Sequence, residues 1–197
     1  MDVSVVKLNK AFGAHVVLKD VSISFTGGKN TAIMGDSGCG KTTLLRILMG
    51  LEAYDSGKIV GVPEYVSAVF QEDRLLEGFN AVANIAFAAD RGVAEKEILS
   101  HLDEVGLHES ALQSVSEMSG GMRRRVAIVR AVLARKELLL LDEPLKGLDE
   151  QTRDKVAAYI NRHSSGVTTI MVTHDADEVA LMDASLVRME SVTGLSP

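Results

Sequence analysis

Apolar positions along the chain change their period between regions. Over residues 3–8 and 15–25 they alternate or run through β-branched residues, which is the pattern of half-buried strands. Thr26-Gly27-Gly28-Lys29-Asn30 forms a turn, and the short apolar run Thr31-Ala32-Ile33-Met34 after it predicts another strand. Leu44-Leu45-Arg46-Ile47-Leu48-Met49 reads as a helix. Residues 58–62 and 66–70 read as short strands separated by Pro63. The middle of the chain then takes helical spacing, over 81–89, 95–105 and 120–134. The last third alternates again. Leu138-Leu139-Leu140-Leu141 is a buried strand, 150–162 a helix, 167–172 a strand, 175–182 a helix and 185–189 a final strand. Strands alternating with helices predict an α/β fold with a mainly parallel sheet. The helical stretch, at about 72–118, reads as an insertion into a single domain spanning 1–197.

Composition narrows the class. The chain has 197 residues, 46% hydrophobic and 24% charged, as an ordinary globular domain does. Its apolar runs are far short of a membrane span. The start, Met1-Asp2-Val3-Ser4-Val5-Val6-Lys7, has no basic region followed by a long apolar core, so no signal peptide is expected. A net charge of -6 and a pI near 5.4 argue against nonspecific duplex binding, which depends on neutralising phosphates, and no nucleic-acid partner is expected. The basic run Arg123-Arg124-Arg125 reads as a solvated or phosphate-facing helix start. The single cysteine, Cys39, excludes an intrachain disulfide and fits a reducing compartment.

The strongest chemical signal is Gly35-Asp36-Ser37-Gly38-Cys39-Gly40-Lys41-Thr42, followed by Thr43. It stands between a predicted strand and a predicted helix, the context that G-x-x-x-x-G-K-[ST] requires. Gly35, Gly38 and Gly40 let the backbone turn tightly and aim N–H groups at an anion. The helix N-terminus adds unpaired donors and a positive dipole end. Lys41 can reach the β- and γ-phosphates, and the Thr42 hydroxyl can ligate Mg²⁺. Cys39 is read as a small residue contributing its backbone N–H rather than its sulfur. Far downstream, the tetraleucine strand ends in Asp142-Glu143. Ligands of open α/β sheets bind at the C-terminal strand ends. Asp142 is placed to hold Mg²⁺ and Glu143 to activate a water.

Further residues carry a family resemblance. Met118-Ser119-Gly120-Gly121-Met122, leading into Arg123-Arg124-Arg125-Val126-Ala127, resembles the signature segment of ATP-binding cassette (ABC) ATPases, usually written LSGGQ. Glu143-Pro144-Leu145-Lys146-Gly147-Leu148-Asp149 resembles their D-loop, Thr173-His174-Asp175 their switch histidine and Gln71 their Q-loop glutamine. Phe12 resembles the aromatic that stacks on adenine. These elements occur in the family's order and cover nearly the whole chain. The resemblance implies a phosphate-loop NTPase core with a mainly parallel sheet, an antiparallel β subdomain and an inserted α-helical subdomain. It also implies ATP hydrolysis with Mg²⁺. Glu143, His174, Gln71 and Lys41 would be catalytic, and Thr42, Gln71 and Asp142 would be metal ligands. Phe12, the loop from Gly35 to Thr43, Ser119, Gly120, Gly121 and Asp149 would contact nucleotide. Ser119, Gly120 and Gly121 would close over ATP held by the other subunit of a head-to-tail dimer, either a homodimer or a paired cassette.

Phe70-Gln71-Glu72-Asp73-Arg74-Leu75-Leu76, with Asn84-Ile85-Ala86-Phe87, resembles most the importer ATPases of the nitrate, sulfonate and taurine group. That implies a transmembrane permease partner, a location at the cytoplasmic face of the cell membrane and an extracytoplasmic substrate-binding protein. A soluble cassette ATPase in an assembly process such as cluster biogenesis is the alternative. The chain ends at Ser191 to Pro197 with no added regulatory domain, so a minimal subunit is expected. Met118 and Met122 stand where the signature usually has Leu and Gln, and Lys146-Gly147 where the D-loop usually has Ser-Ala. Met for Leu conserves volume, whereas Met122 deletes an amide.

Overall fold

A computed structural model describes residues 2–191; the last residues of the chain, 192–197, lie outside the described residues. Two sheets form the scaffold. β1 (Val3–Phe12), β2 (His15–Phe25) and β4 (Ser56–Val60) make a three-stranded antiparallel sheet in the order β2-β1-β4. β5 (Val66–Val69), β6 (Leu138–Asp142), β7 (Thr168–Val172), β3 (Asn30–Met34) and β8 (Ser185–Arg188) make a five-stranded sheet in the order β5-β6-β7-β3-β8. Every pairing in the second sheet is parallel.

The parallel sheet is covered on both faces, which explains why β6 is an unbroken leucine run rather than an alternating one. Successive side chains of a strand point to opposite faces. Leu139 and Leu141 accordingly join a core shared with α4 (Gly120–Leu133) and α5 (Glu150–His163). Leu138 and Leu140 join a second core with α1 (Lys41–Leu48) and Val3, Val5 and Phe25 of the antiparallel sheet. On β7, Met171 and Ile170 divide between the same two cores. α2 (Ala81–Ala86) and α3 (Glu95–Glu104) add to the first core from the middle of the chain. α6 (Ala176–Leu181) follows β7.

Most differences from the sequence expectation lie at element ends. β1 runs on to Phe12 because it pairs with β2 down to Phe12–His15. The helix expected over 81–89 stops at Ala86, where the Phe87 amide closes the last turn onto the Ala83 carbonyl at 3.1 Å. The β4 strand begins at Ser56, earlier than expected, because it pairs with β1 from Asn9 to Ser4. One reading of surface chemistry is corrected. Arg124 is buried, and Arg125 is turned inward onto the carbonyls of Val105 and Gly106, so this run is not a solvated helix start.

Candidate nucleotide site

Parallel pairing brings three functional segments to one edge. β3 runs into the glycine-rich loop, β6 ends at Asp142 and β7 ends at Val172 before Thr173-His174. Ile33 and Asp142 both pair with Val172, so the three strand ends are level. The Glu143 amide donates to the Val172 carbonyl at 2.9 Å, and the Thr173 amide to Ile33 at 3.2 Å. A cleft of about 400 Å³ opens there, lined by Ser37, Gly38, Gly40, Lys41, Thr42, Thr43, Gln71, Glu143, Val172 and His174, with His15 and Val17 of β2.

The glycines meet specific constraints. Gly40, the residue before α1, has φ 96°, and a Cβ there would lie 2.5 Å from Leu18 Cδ2 and 3.0 Å from the Val17 carbonyl oxygen. At Gly35 a Cβ would lie 2.1 Å from the Met189 carbonyl oxygen. The loop is therefore packed between β2 and the end of β8. Lys41 is buried, and its Nζ donates to the carbonyls of Gly35 and Asp36, each at 2.8 Å. Cys39 Sγ lies 3.6 Å from the same ammonium, buried beneath the loop.

Asp142 is buried, and burial pushes its carboxyl pKa up. The neighbouring Thr42 hydroxyl opposes that shift, as do the charges of Arg124 and Lys41. Thr42, Gln71 and Asp142 share a small cavity of about 160 Å³ beside the main cleft. Hydroxyl, amide and carboxylate oxygens are the hard donors that Mg²⁺ takes, so these residues fit that ion.

Glu143 has φ 49°, a left-handed backbone that costs a residue with a Cβ about 1–2 kcal/mol. Its side chain is held at both oxygens. His174 Nε2 lies 3.1 Å from Oε1, and Lys146 Nζ donates to Oε2 at 2.5 Å. The carboxylate thus faces the cleft between an imidazole and an ammonium. This arrangement can accept a proton from a water near a bound phosphate once the lysine moves aside.

Arg124, on the first turns of α4, ties this helix to the Gln71 loop. Its guanidinium donates to the Phe70 carbonyl at 2.5 Å and the Gln71 carbonyl at 3.1 Å. It also lies 3.1 Å from Asp73 Oδ1, off the donor direction, so that contact is an ion pair without a hydrogen bond. Arg130, two turns on, donates to the carbonyls of Asp73 and Arg74.

Not every expected residue enters the cleft. Phe12 is 49% exposed at the end of β1, with Lys10 Nζ 4.6 Å from its ring centroid, while its cross-strand partner His15 lines the cleft. Ser119 caps α4, its Oγ accepting the Met122 amide at 3.3 Å, and neither it nor Gly120 or Gly121 lines the cleft. Asp149 caps α5, accepting from the Thr152 amide at 3.0 Å, and its hydrogen bonds with Thr152 hold its carboxyl below the usual range. Three neighbours of the site escaped the sequence reading: His15, Val17 and the buried Arg124. For Lys146 a signal existed, since it stands three residues after Glu143 across a proline-bearing turn.

A phosphate-loop core carrying a serine-glycine-glycine signature helix and a strand-end Asp-Glu pair is the class of the ATP-binding cassette. The sequence model described as ABC transporter matches residues 18–146. The chain belongs to the ABC transporter family and is its ATP-binding, ATP-hydrolysing subunit. It is 39% identical to aliphatic sulfonates import ATP-binding protein SsuB 2 of Pseudomonas syringae pv. tomato, over 94% of this chain and 81% of that one. It is 40% identical to SsuB 1 of Paracoccus denitrificans, over 96% and 80%. Spermidine/putrescine import ATP-binding protein PotA of Fusobacterium nucleatum is 35% identical over 94% of this chain and 56% of its own. Among solved structures, a dimeric bacterial ABC transporter cassette superposes with a TM-score of 0.84 at 23% identity, covering 95% of this chain and 94% of that one. An ATP-bound bacterial Atm1-family exporter superposes at 0.85 with 22% identity, covering 97% and 38%. The likeness to these two shows the fold. The cluster-biogenesis alternative is not favoured, since the curated relatives are import ATP-binding proteins. Among the described residues no helix is long and apolar enough to cross a membrane.

Proposed function

We propose that this cassette powers import through a separate membrane permease, at the cytoplasmic face of the membrane, with Glu143 as the base that activates the attacking water. The observation that carries the catalytic reading is the convergence of Lys41, Thr42, Gln71, Glu143 and His174 on one cleft. Lys41 exchanges its loop carbonyls for phosphate oxygens, His174 contacts the γ-phosphate, and both offset charge developing there. Thr42, Asp142 and Gln71 would hold Mg²⁺, which would supply positive charge against the phosphates. Ser119, Gly120 and Gly121 lie outside this chain's cleft, which fits a role toward ATP bound by the other cassette of a head-to-tail dimer. There the Asp149 region meets the facing cassette, and Phe12 closes over adenine.

The middle helices support a docking role. Phe79 and Phe87 are 47% and 65% exposed and stack edge to face at 5.2 Å, next to the half-exposed Leu76. They follow the Gln71 loop in sequence, so nucleotide state and permease contact share one segment. Sulfonate and polyamine importers are both among the relatives. Cargo choice therefore belongs to the permease and to an extracytoplasmic binding protein, not to this cleft.

The test is a pull-down of tagged protein from detergent-solubilised membranes with ATP and without, identifying partners by mass spectrometry. A polytopic membrane protein in stoichiometric amount, reduced by Phe87→Asp, is expected. Soluble partners alone would overturn the transporter assignment.

A further inference from the structure

The α3–α5 contact carries chemistry that the nucleotide site does not use. His101 and Glu104 stand three residues apart on α3, on one helix face, and His163 ends α5. One ligand atom from each lies within 4.8 Å of the others, and this is the one such group of three among the described residues. His163 Nε2 is 2.9 Å from Glu104 Oε2, and the two imidazole centroids are 4.5 Å apart. Tyr159, buried on α5, places its hydroxyl 2.8 Å from His101 Nδ1.

We propose that His101, Glu104 and His163 form a binding site for a divalent transition-metal ion of the zinc class, which clasps the inserted helix α3 to α5 of the core. The donor set selects the ion. Two imidazoles and one carboxylate suit zinc, nickel, copper or cobalt, whereas magnesium and calcium take oxygen donors. Ligand bonds near 2.0–2.1 Å in a tetrahedron put donor atoms about 3.3 Å apart. The Glu104–His163 edge is already that short, and the remaining edges close by rotation of side chains at helix ends. The Tyr159 hydroxyl occupies Nδ1 of His101 and leaves Nε2 to bind, the outer-sphere support that ligand histidines have. Three protein ligands leave a fourth position for water.

Two cations oppose the ion, Lys136 through its charge near His101 and Arg162 through a direct contact. Arg162 Nη1 donates to Glu104 Oε2 at 2.9 Å, and its side chain is 66% exposed, so it can turn outward when metal enters. The arginine is a built-in competitor.

The experiment uses the untagged full-length protein without nucleotide or Mg²⁺. Zn²⁺ is titrated in competition with a chromophoric chelator, and thermal melting is followed with and without one equivalent of Zn²⁺. The parent is expected to bind one equivalent and to melt higher with it. His163→Gln and His101→Gln are expected to bind at least tenfold more weakly and to show no Zn²⁺-dependent rise. Arg162→Ala, which leaves all three ligands in place, is expected to tighten binding. Equal Zn²⁺ affinity in parent and histidine variants would overturn the site, as would weaker binding by Arg162→Ala.

Discussion

Replacing Arg124 by alanine tests how the signature helix is tied to the Gln71 loop. The guanidinium is 5% exposed and holds the carbonyls of Phe70 and Gln71 while facing Asp73. The substitution removes two charge-assisted hydrogen bonds and leaves a partly buried carboxylate without its nearest cation. Breaking a buried pair from one side costs about 3–5 kcal/mol. Asp73 retains some solvent and feels Arg123 and Arg130 as well, which places the loss near the lower end, at about 3 kcal/mol. For a chain of this size that lowers the melting temperature by about 6–12 °C. The loss also depends on pH. Burial raises the Asp73 carboxyl above its ordinary value, so the folded state binds more protons there than the unfolded chain does. The stability carried by the protonated form is present below the ordinary carboxylate range and is lost as pH rises through the raised value. Without the attraction of Arg124 the value climbs further. The deficit of Arg124→Ala is therefore largest near neutral pH and narrows on acidification, and Arg124→Lys recovers part of it. Urea denaturation of parent and variants between pH 5.5 and 7.5 reads this directly. A deficit below about 1 kcal/mol, or one that widens as pH falls, would refute the reasoning.

Other substitutions probe the cleft itself. Gly40→Ala places a Cβ against Leu18 and Val17 in a left-handed backbone, and ATP affinity measured by titration is expected to fall at least tenfold; Lys41→Ala weakens it through lost phosphate contacts, and parental affinity in both would contradict the phosphate-loop assignment. Lys146→Ala frees Glu143 of an ammonium on a 63%-exposed side chain, an ion pair worth up to about 1 kcal/mol, so basal kcat is expected to rise by about two- to fivefold, and a fall would mean that the lysine supports the base. Met122→Gln is expected to raise ATPase activity while losing a little stability, because Met122 packs against the core cluster; an unchanged rate would mark the position as permissive.

The phosphate loop and the Asp142-Glu143 strand end were legible because their chemistry is local: consecutive residues, bracketed by elements whose apolar periods are clear. The sheet order was not. β6 lies between β5 and β7, a placement that depends on which faces are buried and not on any one segment. Arg124 looked like surface charge because a run of three arginines reads as solvated, yet on α4 successive residues point in different directions and the middle one turns inward. Phe12 matched the family position, while the adjacent strand, not the motif, determines that His15 and Val17 line the cleft. The signature residues lie outside that cleft, and their proposed use, toward ATP on another copy of the fold, is not encoded in the periodicity of one chain.

This chain is proposed to hydrolyse ATP with Glu143 as base. The direct measurement is steady-state ATPase activity of Glu143→Gln beside the parent, with ATP binding and size-exclusion mobility followed on the same samples. With Glu143 as base, retained ATP binding, loss of most hydrolysis and an ATP-dependent dimer that persists in the variant are expected. Hydrolysis at the parental rate in Glu143→Gln would contradict it.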